Sequence, residues 1–307
     1  MNWQQKLSLI AKGFCIGSAD VVPGVSGGTM AFILGIYQDL INAIKSFDTS
    51  WLKSFIRLDV AGVLTKPHFA FLIPLAIGII SALIFFTRVV PLPILIKTQP
   101  VIIYSLFFGL IVGSIIFIVR RFSLHIVIKR IIFLLLGITF GAFIVTLVPT
   151  TTPDDSWFIF LCGTLAISAM ILPGISGSFV LLMMKKYAYI FNAIGHFQLT
   201  ILLPFIAGVI VGLILFSRIL SYLLNCFYQQ TMMFITGLLI ASLYVIWPFQ
   251  QRSYEIVRDK ERLIESVPYM PIEWGTDILH AVIMMLIGVF LVVVFELLAT
   301  KSTNTTD

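Results

Sequence analysis

The stretch "SADVVPGVSGGTMAF", residues 18–32, decides how the rest of the chain is read, because it sets an aspartate, a Pro-Gly pair and a glycine-serine run inside an apolar segment. Proline removes a backbone donor and glycine releases the chain from helical geometry, so a hydrophobic helix breaks there. The N–H groups freed by the break cannot be satisfied by lipid and must face protein, water or a ligand. Gly24, Gly27 and Gly28 permit close backbone approach, and Ser26 and Thr29 place hydroxyls at the start of the next helix. Free N–H groups among small residues at a helix start suit an anion, phosphate above all. For one such motif taken alone, the rival reading is a kink with small residues for tight packing.

Composition says where this break lies. Of the 307 residues, 59% are hydrophobic and 11% charged, with a mean hydropathy of +1.07, too little charge to cover a soluble domain. Apolar runs fall at about 71–87, 101–119, 131–149, 157–172, 201–217, 231–249 and 278–298. Most are near the roughly 20 residues that a helix needs to cross hydrocarbon, and they are too long and evenly apolar for barrel strands. The fold class is an all-α integral membrane protein with many passes. The opening "MNWQQKLSLIAKGF" lacks an apolar core ending in a small-residue cleavage site, so the first apolar segment is expected to be retained.

The net charge of +6 is spread over loops, for instance Arg120, Arg121, Lys129 and Arg130, which suits topology setting and anionic headgroups and gives no nucleic-acid surface. The region 250–275 is the most polar and reads as an extramembrane loop of mixed charge. Cys15, Cys162 and Cys226 have neither CxxC spacing nor an obvious pairing. His68, His125, His196 and His280 are isolated, so neither a metal nor another cofactor is expected.

The opening motif occurs twice. "SADVVPGVSGGTMAFILGIYQDLINAIKSF" (18–47) and "SAMILPGISGSFVLLMMKKYAYIFNAIGHF" (168–197) are identical at eleven of thirty positions without a gap, an internal repeat with an offset of 150. The match continues from "FLIPLAIGIISALIFFTR" (71–88) to "ILLPFIAGVIVGLILFSR" (201–218), aligning Pro74 with Pro204, Gly78 with Gly208 and Arg88 with Arg218. It runs on through "FFGLIVGSI" (107–115) over "ITGLLIASL" (235–243), and more weakly through Gly137 and Gly288. The chain therefore divides into a first repeat, residues 1–150, and a second, residues 151–307. The first carries an insertion, residues 48–67. Leu40, Ile44, Phe47, Trp51, Phe55 and Leu58 recur there at helical spacing, which fits either a helix lying in the membrane interface or a plain connector.

If each motif dips in and returns, each half has three spanning helices and the halves are inverted; if it spans, each has four and they are parallel. Lys and Arg divide 12 inside to 8 outside in the first case, with the N-terminus inside, and 14 to 6 in the second, with it outside, so charge leaves both open. Broken helices paired near the midplane across an inverted repeat are a recurrent way to build a transport site, which favours inversion, with about three spanning helices beside each broken pair.

The second motif offers Gly174, Ser176, Gly177 and Ser178 for the same anion. Asp20 lies at lipid depth and its repeat partner is Met170, so the halves are chemically unequal there. An intramembrane carboxylate is costly; it serves either a coupling proton or sodium ion or the capping of a broken helix end. Arg88 and Arg218 end matched segments and either contact phosphate or snorkel to the headgroups. Tyr37 and Tyr187 are matched too, as aromatic residues at a membrane boundary often are.

With "ADVVPGVSGGTMAFILGIY" and "LPGISGSFVLLMMKKY" in this order and spacing, the chain from about Gly13 to Leu298 resembles the bacterial polyprenyl-phosphate (undecaprenyl-phosphate) transporters, long catalogued as a membrane domain of unknown function. The resemblance implies inverted repeats with re-entrant helices and a flippase that returns undecaprenyl phosphate, the lipid carrier of cell-wall synthesis, from the outer to the inner leaflet of the cytoplasmic membrane. It implicates Asp20, Pro23, Gly24, Ser26, Gly27, Gly28 and Thr29, with Pro173, Gly174, Ser176, Gly177 and Ser178. One departure is that the first copy ends "LGIY" and the second "MKKY", so Lys185 and Lys186 either add a phosphate contact or mark the boundary.

Two other functions fit parts of the pattern. A membrane prenyl-pyrophosphate phosphatase carries "PGxSRS", but Gly27 and Gly177 stand at its arginine position here and no glutamate lies at lipid depth except Glu296 near a helix end, so no enzyme is expected. A small-anion channel or exchanger would also use broken helix ends with serine and glycine. The expected partners are the lipid substrate and the bilayer, and the sequence leaves the oligomeric state open.

Overall fold

The computed structural model describes residues 3–20, 26–47, 49–65, 67–90, 92–146, 152–257, 260–271 and 275–303. The first half holds α1 (Trp3–Asp20), α2 (Gly27–Ile33), α3 (Tyr37–Lys45), α4 (Thr49–Ile56), α5 (Val60–Thr65), α6 (Phe69–Arg88), α7 (Leu92–Thr98), α8 (Pro100–Arg120), α9 (Leu124–Lys129) and α10 (Ile131–Thr146). The second holds α11 (Ser156–Ile171), α12 (Gly177–Met183), α13 (Tyr187–Gly195), α14 (Leu199–Cys226), α15 (Tyr228–Val245), the strands β1 (Gln250–Val257) and β2 (Lys260–Pro268), and α16 (Thr276–Thr303).

Helices dominate because backbone groups in lipid have to be satisfied within each segment. Among the described residues four stretches are long and apolar enough to cross a membrane: Phe69–Phe86, Pro100–Arg120, Leu199–Cys226 and Thr276–Val294. Ile131–Val145 and Ser156–Ile171 are apolar but shorter.

The motif segments break as their residues dictate. α1 ends at Asp20 and α2 starts after its cap, Ser26; in the other copy α11 ends at Ile171 and α12 starts at Gly177. The offset of 150 carries the ends of α2 and α3 onto those of α12 and α13 residue for residue. Both turns between the short helices are left-handed, through Gly35 at φ 69° and Lys185 at φ 51°.

Two expectations change in detail. The polar region is no irregular loop: β1 and β2 pair antiparallel, from Gln250 opposite Pro268 to Val257 opposite Lys260. Its alternation of polar with β-branched or aromatic residues, as in "SYEIV", is a strand period that the mixed charge obscured. The stretch from Leu40 to Leu58 is not one helix but breaks twice, after Lys45, ahead of the insertion, and after Ile56 within it. At the second break Leu58 has φ 55° and is 84% exposed, while the Asp59 carboxylate accepts from the Gly62 amide at 3.1 Å and caps α5.

The chain forms two compact units, each built from both halves. The first comprises Met1–Leu92, Pro153–Val180 and Ala193–Tyr228. In it α1 crosses α6 where Gly13 and Gly78 meet, and α11 crosses α14 where Gly163 and Gly208 meet; a Cβ on any of the four would overlap a facing carbonyl oxygen. The second unit comprises Pro93–Thr152, Leu181–Asn192 and Gln229–Asp307. There Gly109 of α8 meets Gly288 of α16, and Gly137 of α10 meets Gly237 of α15. Each crossing has its counterpart under the repeat, including the weakly matched Gly137 and Gly288. Such contacts bring helix backbones together where apolar burial supplies no drive between helices.

Candidate functional site

The described residues of both breaks, within 18–29 and 168–179, lie in the first unit. The break in α1–α2 leaves amide donors, taken up by side chains of the same copy, and the break in α11–α12 leaves carbonyl acceptors, taken up by hydroxyls of the first copy. Gly27 N–H donates to Asp20 Oδ1 at 2.7 Å, and Gly28 N–H donates to Ser26 Oγ at 3.2 Å. Ser26 Oγ–H in turn donates to the Met170 carbonyl at 3.1 Å. Tyr37 O–H donates to the Ile171 carbonyl at 3.0 Å, and Gly174 N–H donates to Thr29 Oγ1 at 2.8 Å.

The small residues are required by these approaches. A Cβ on Gly28 would come within 2.8 Å of the Met170 and Ile171 carbonyls, and one on Gly27 within 2.7 Å of the Asp20 carboxylate. Gly177 packs against the Ala166 carbonyl, and Gly174 turns the chain at φ 93°, a conformation that side chains oppose. In the second motif the Ser176 and Ser178 hydroxyls share one hydrogen bond of 2.8 Å, and Ser178 is exposed.

Asp20, Ser26, Gly27, Gly28, Thr29 and Gly174 are thus joined in one bonded cluster, with Ser176, Gly177 and Ser178 following directly. Asp20 serves as the cap of a broken helix end and is the only carboxylate within 18–32 and 168–182. Pro23 and Gly24 lie outside the described residues. Arg88 and Arg218 are exposed, Arg88 at the end of α6 and Arg218 within α14; among the described residues neither bonds to a motif side chain.

Sequence reasoning named two residues without finding their contacts. Tyr37 is 4% exposed and its hydroxyl ties the first copy to the second. Its identity with Tyr187 inside the repeat was the available signal. Lys186 is also 4% exposed; its Nζ donates to the Thr152 carbonyl at 2.9 Å and lies 5.3 Å from the Tyr189 ring centre. It ties the turn before α13 to the segment before α11. Lys185 is exposed.

A family profile described as VCA0040-like, undecaprenyl phosphate translocase-like, matches residues 16–264. The chain is 38% identical over 307 aligned residues to a polyprenyl-phosphate transporter of Vibrio cholerae serotype O1, covering 96% of this chain and 97% of that one. It is 32% identical over 260 residues to a polyprenyl-phosphate transporter of Staphylococcus aureus, covering 78% of this chain and 85% of that one. No solved structure matches.

Proposed function

The chain belongs to the undecaprenyl phosphate translocase-like family, and from that premise we propose that it is a transporter returning undecaprenyl phosphate from the outer to the inner leaflet of the bacterial cytoplasmic membrane. The substrate follows the names of its relatives. The observation that carries the reading for this chain is the convergence of two broken helices, joined through Ser26 to Met170 and Thr29 to Gly174.

A prenyl monophosphate needs an anion cradle while its tail stays in lipid. In this proposal the cradle is built from Gly24, Ser26, Gly27, Gly28 and Thr29 with Gly174, Ser176, Gly177 and Ser178. Small residues let the backbone reach the phosphate, the hydroxyls and amides left free donate to its oxygens, and the bonded ones hold the shape of the cradle. Arg88 and Arg218 meet its charge outside the cradle, on entry or exit. The repeats, 1–150 and 151–307, are inverted, and access alternates by a rocking movement. Asp20 couples the movement to a proton or sodium ion, because a carboxylate at lipid depth holds such a cation at low cost only when the cation is there to neutralise it. The chain carries out no chemistry on the lipid.

The test is leaflet-to-leaflet movement of a labelled prenyl phosphate in vesicles containing the purified chain, with Ser26→Ala/Ser176→Ala as the paired variant. Movement by the wild type and its loss in the folded variant are expected. A folded wild type that passes only inorganic anions would make the same motifs an ion pathway, and phosphate release from lipid pyrophosphate would make the chain an enzyme.

A further inference from the structure

The two motif copies are unequal in what they leave free. In the first, Gly27 N–H is taken by Asp20, Gly28 N–H by Ser26, the Ser26 proton by Met170 and the Thr29 oxygen by Gly174. Thr29 is 1% exposed, and its partner atom belongs to the other copy. In the second, the Ser176 and Ser178 hydroxyls bond only to each other among the described residues.

Three first-copy side chains, Ser26, Thr29 and Tyr37, hold three backbone groups of the second break: the Met170 and Ile171 carbonyls and the Gly174 amide. The sequence does not allow the full reverse set: Ser26 and Tyr37 are matched by Ser176 and Tyr187, but Thr29 is matched by Phe179, which has no acceptor. Gly174 needs the tie most. Its φ of 93° lies in a region that glycine leaves readily, and the turn it makes sets the direction in which Ser176 and Ser178 leave α11.

We infer that Thr29 and Tyr37 are positioning residues: the first copy is the frame, and it holds the second break in the shape that presents Ser176 and Ser178 to a lipid phosphate. The inference rests on the proposed transport function and divides the labour within that cradle. Thr29 acts on the phosphate only through Gly174 and the serines beyond it, and Tyr37 only through Ile171.

The experiment is a double-mutant cycle on the full chain in vesicles, reading the half-saturating mole fraction of a labelled prenyl phosphate. Thr29→Val keeps the shape and removes the acceptor; Tyr37→Phe removes only the hydroxyl. Each is expected to raise half-saturation about tenfold, the effect of one buried hydrogen bond. Thr29→Ser, which restores the acceptor, returns it to the wild-type value. In a Ser176→Ala/Ser178→Ala background, Thr29→Val adds nothing further, because the groups it positions are gone. A general loss of stability would instead add to the serine losses and lower the maximal rate. Additive losses, or wild-type half-saturation in folded Thr29→Val and Tyr37→Phe, overturn the inference while transport by the wild type stands. If Thr29→Val is not recovered folded, Tyr37→Phe decides by the same cycle. A folded wild type that moves no prenyl phosphate overturns both this inference and the function it rests on.

Discussion

Lys185 holds a left-handed backbone, φ 51°, at the position where the first repeat has Gly35 at φ 69°. The turn between the short helices is therefore the same in both copies, and the second imposes it on a residue whose Cβ opposes it at a cost of about 1–2 kcal/mol. Lys185→Gly removes that cost but gives the unfolded chain more freedom, worth roughly 0.5–1 kcal/mol. The expected net result is stabilisation of up to about 1 kcal/mol, seen as a higher midpoint of thermal unfolding in detergent. Gly35→Ala is expected to destabilise by a similar amount. An unchanged midpoint for both would mean that the turn is not held as described.

The same pair shows how far the sequence could be read. "LGIY" against "MKKY" looked like a chemical departure beside the site, yet one of its lysines fills a backbone role that glycine fills elsewhere and the other is buried against the Thr152 carbonyl. The membrane class, the duplication and the positions of both breaks were legible, because Pro-Gly pairs and apolar runs act locally. The bonds from Thr29 to Gly174 and from Tyr37 to Ile171 were not. They join residues 145 and 134 positions apart, and no local pattern reports which broken end a hydroxyl will find. The hairpin at 250–268 was hidden for another reason: its mixed charge masks a strand period that carries no hydrophobic run.

Glycine at the helix crossings makes a sharper prediction. Gly208 faces the Phe160 carbonyl and Gly13 the Leu75 carbonyl, so a side chain at either pushes two backbones apart rather than displacing a flexible neighbour. Gly208→Leu is expected to cost about 3 kcal/mol or more, the upper end of overpacking, and to lower the yield of folded protein steeply. Gly275→Ala, where nothing lies within 4 Å, is the matched control and should be near neutral. Equal yields for the two would contradict the crossing.

Buried hydroxyls in α8 separate partnered from unpartnered groups. Ser114 Oγ donates to the Leu110 carbonyl at 2.6 Å, whereas Ser105 Oγ is buried without a partner among the described residues. Leaving a hydroxyl unpaired away from water costs about 1–3 kcal/mol, and removing it recovers much of that. Ser105→Ala is expected to leave stability unchanged or raise it by about 1 kcal/mol. Ser114→Ala, which loses a made bond, is expected to lower it by about 0.5–1 kcal/mol. Chemical unfolding in mixed micelles would rank them, and the reverse ranking would place a partner on Ser105.

Asp20 is where structure and coupling can be pulled apart. Its carboxylate accepts from the Gly27 amide, and the side chain of an Asp20→Asn variant would still offer an amide oxygen to that N–H. The cap should survive, with a loss of at most about 1 kcal/mol, whereas Asp20→Ala removes the acceptor and should cost about 0.5–2 kcal/mol. Neither asparagine nor alanine can take up a proton or balance a sodium ion. If Asp20 is the coupling group, both variants lose gradient-driven transport equally although they differ in stability. If it only caps α2, Asp20→Asn transports as the wild type does under a pH or sodium gradient of either sign, and only Asp20→Ala is impaired. Measuring gradient dependence in vesicles beside unfolding in detergent separates the two roles, because coupling follows the charge and capping follows the oxygen.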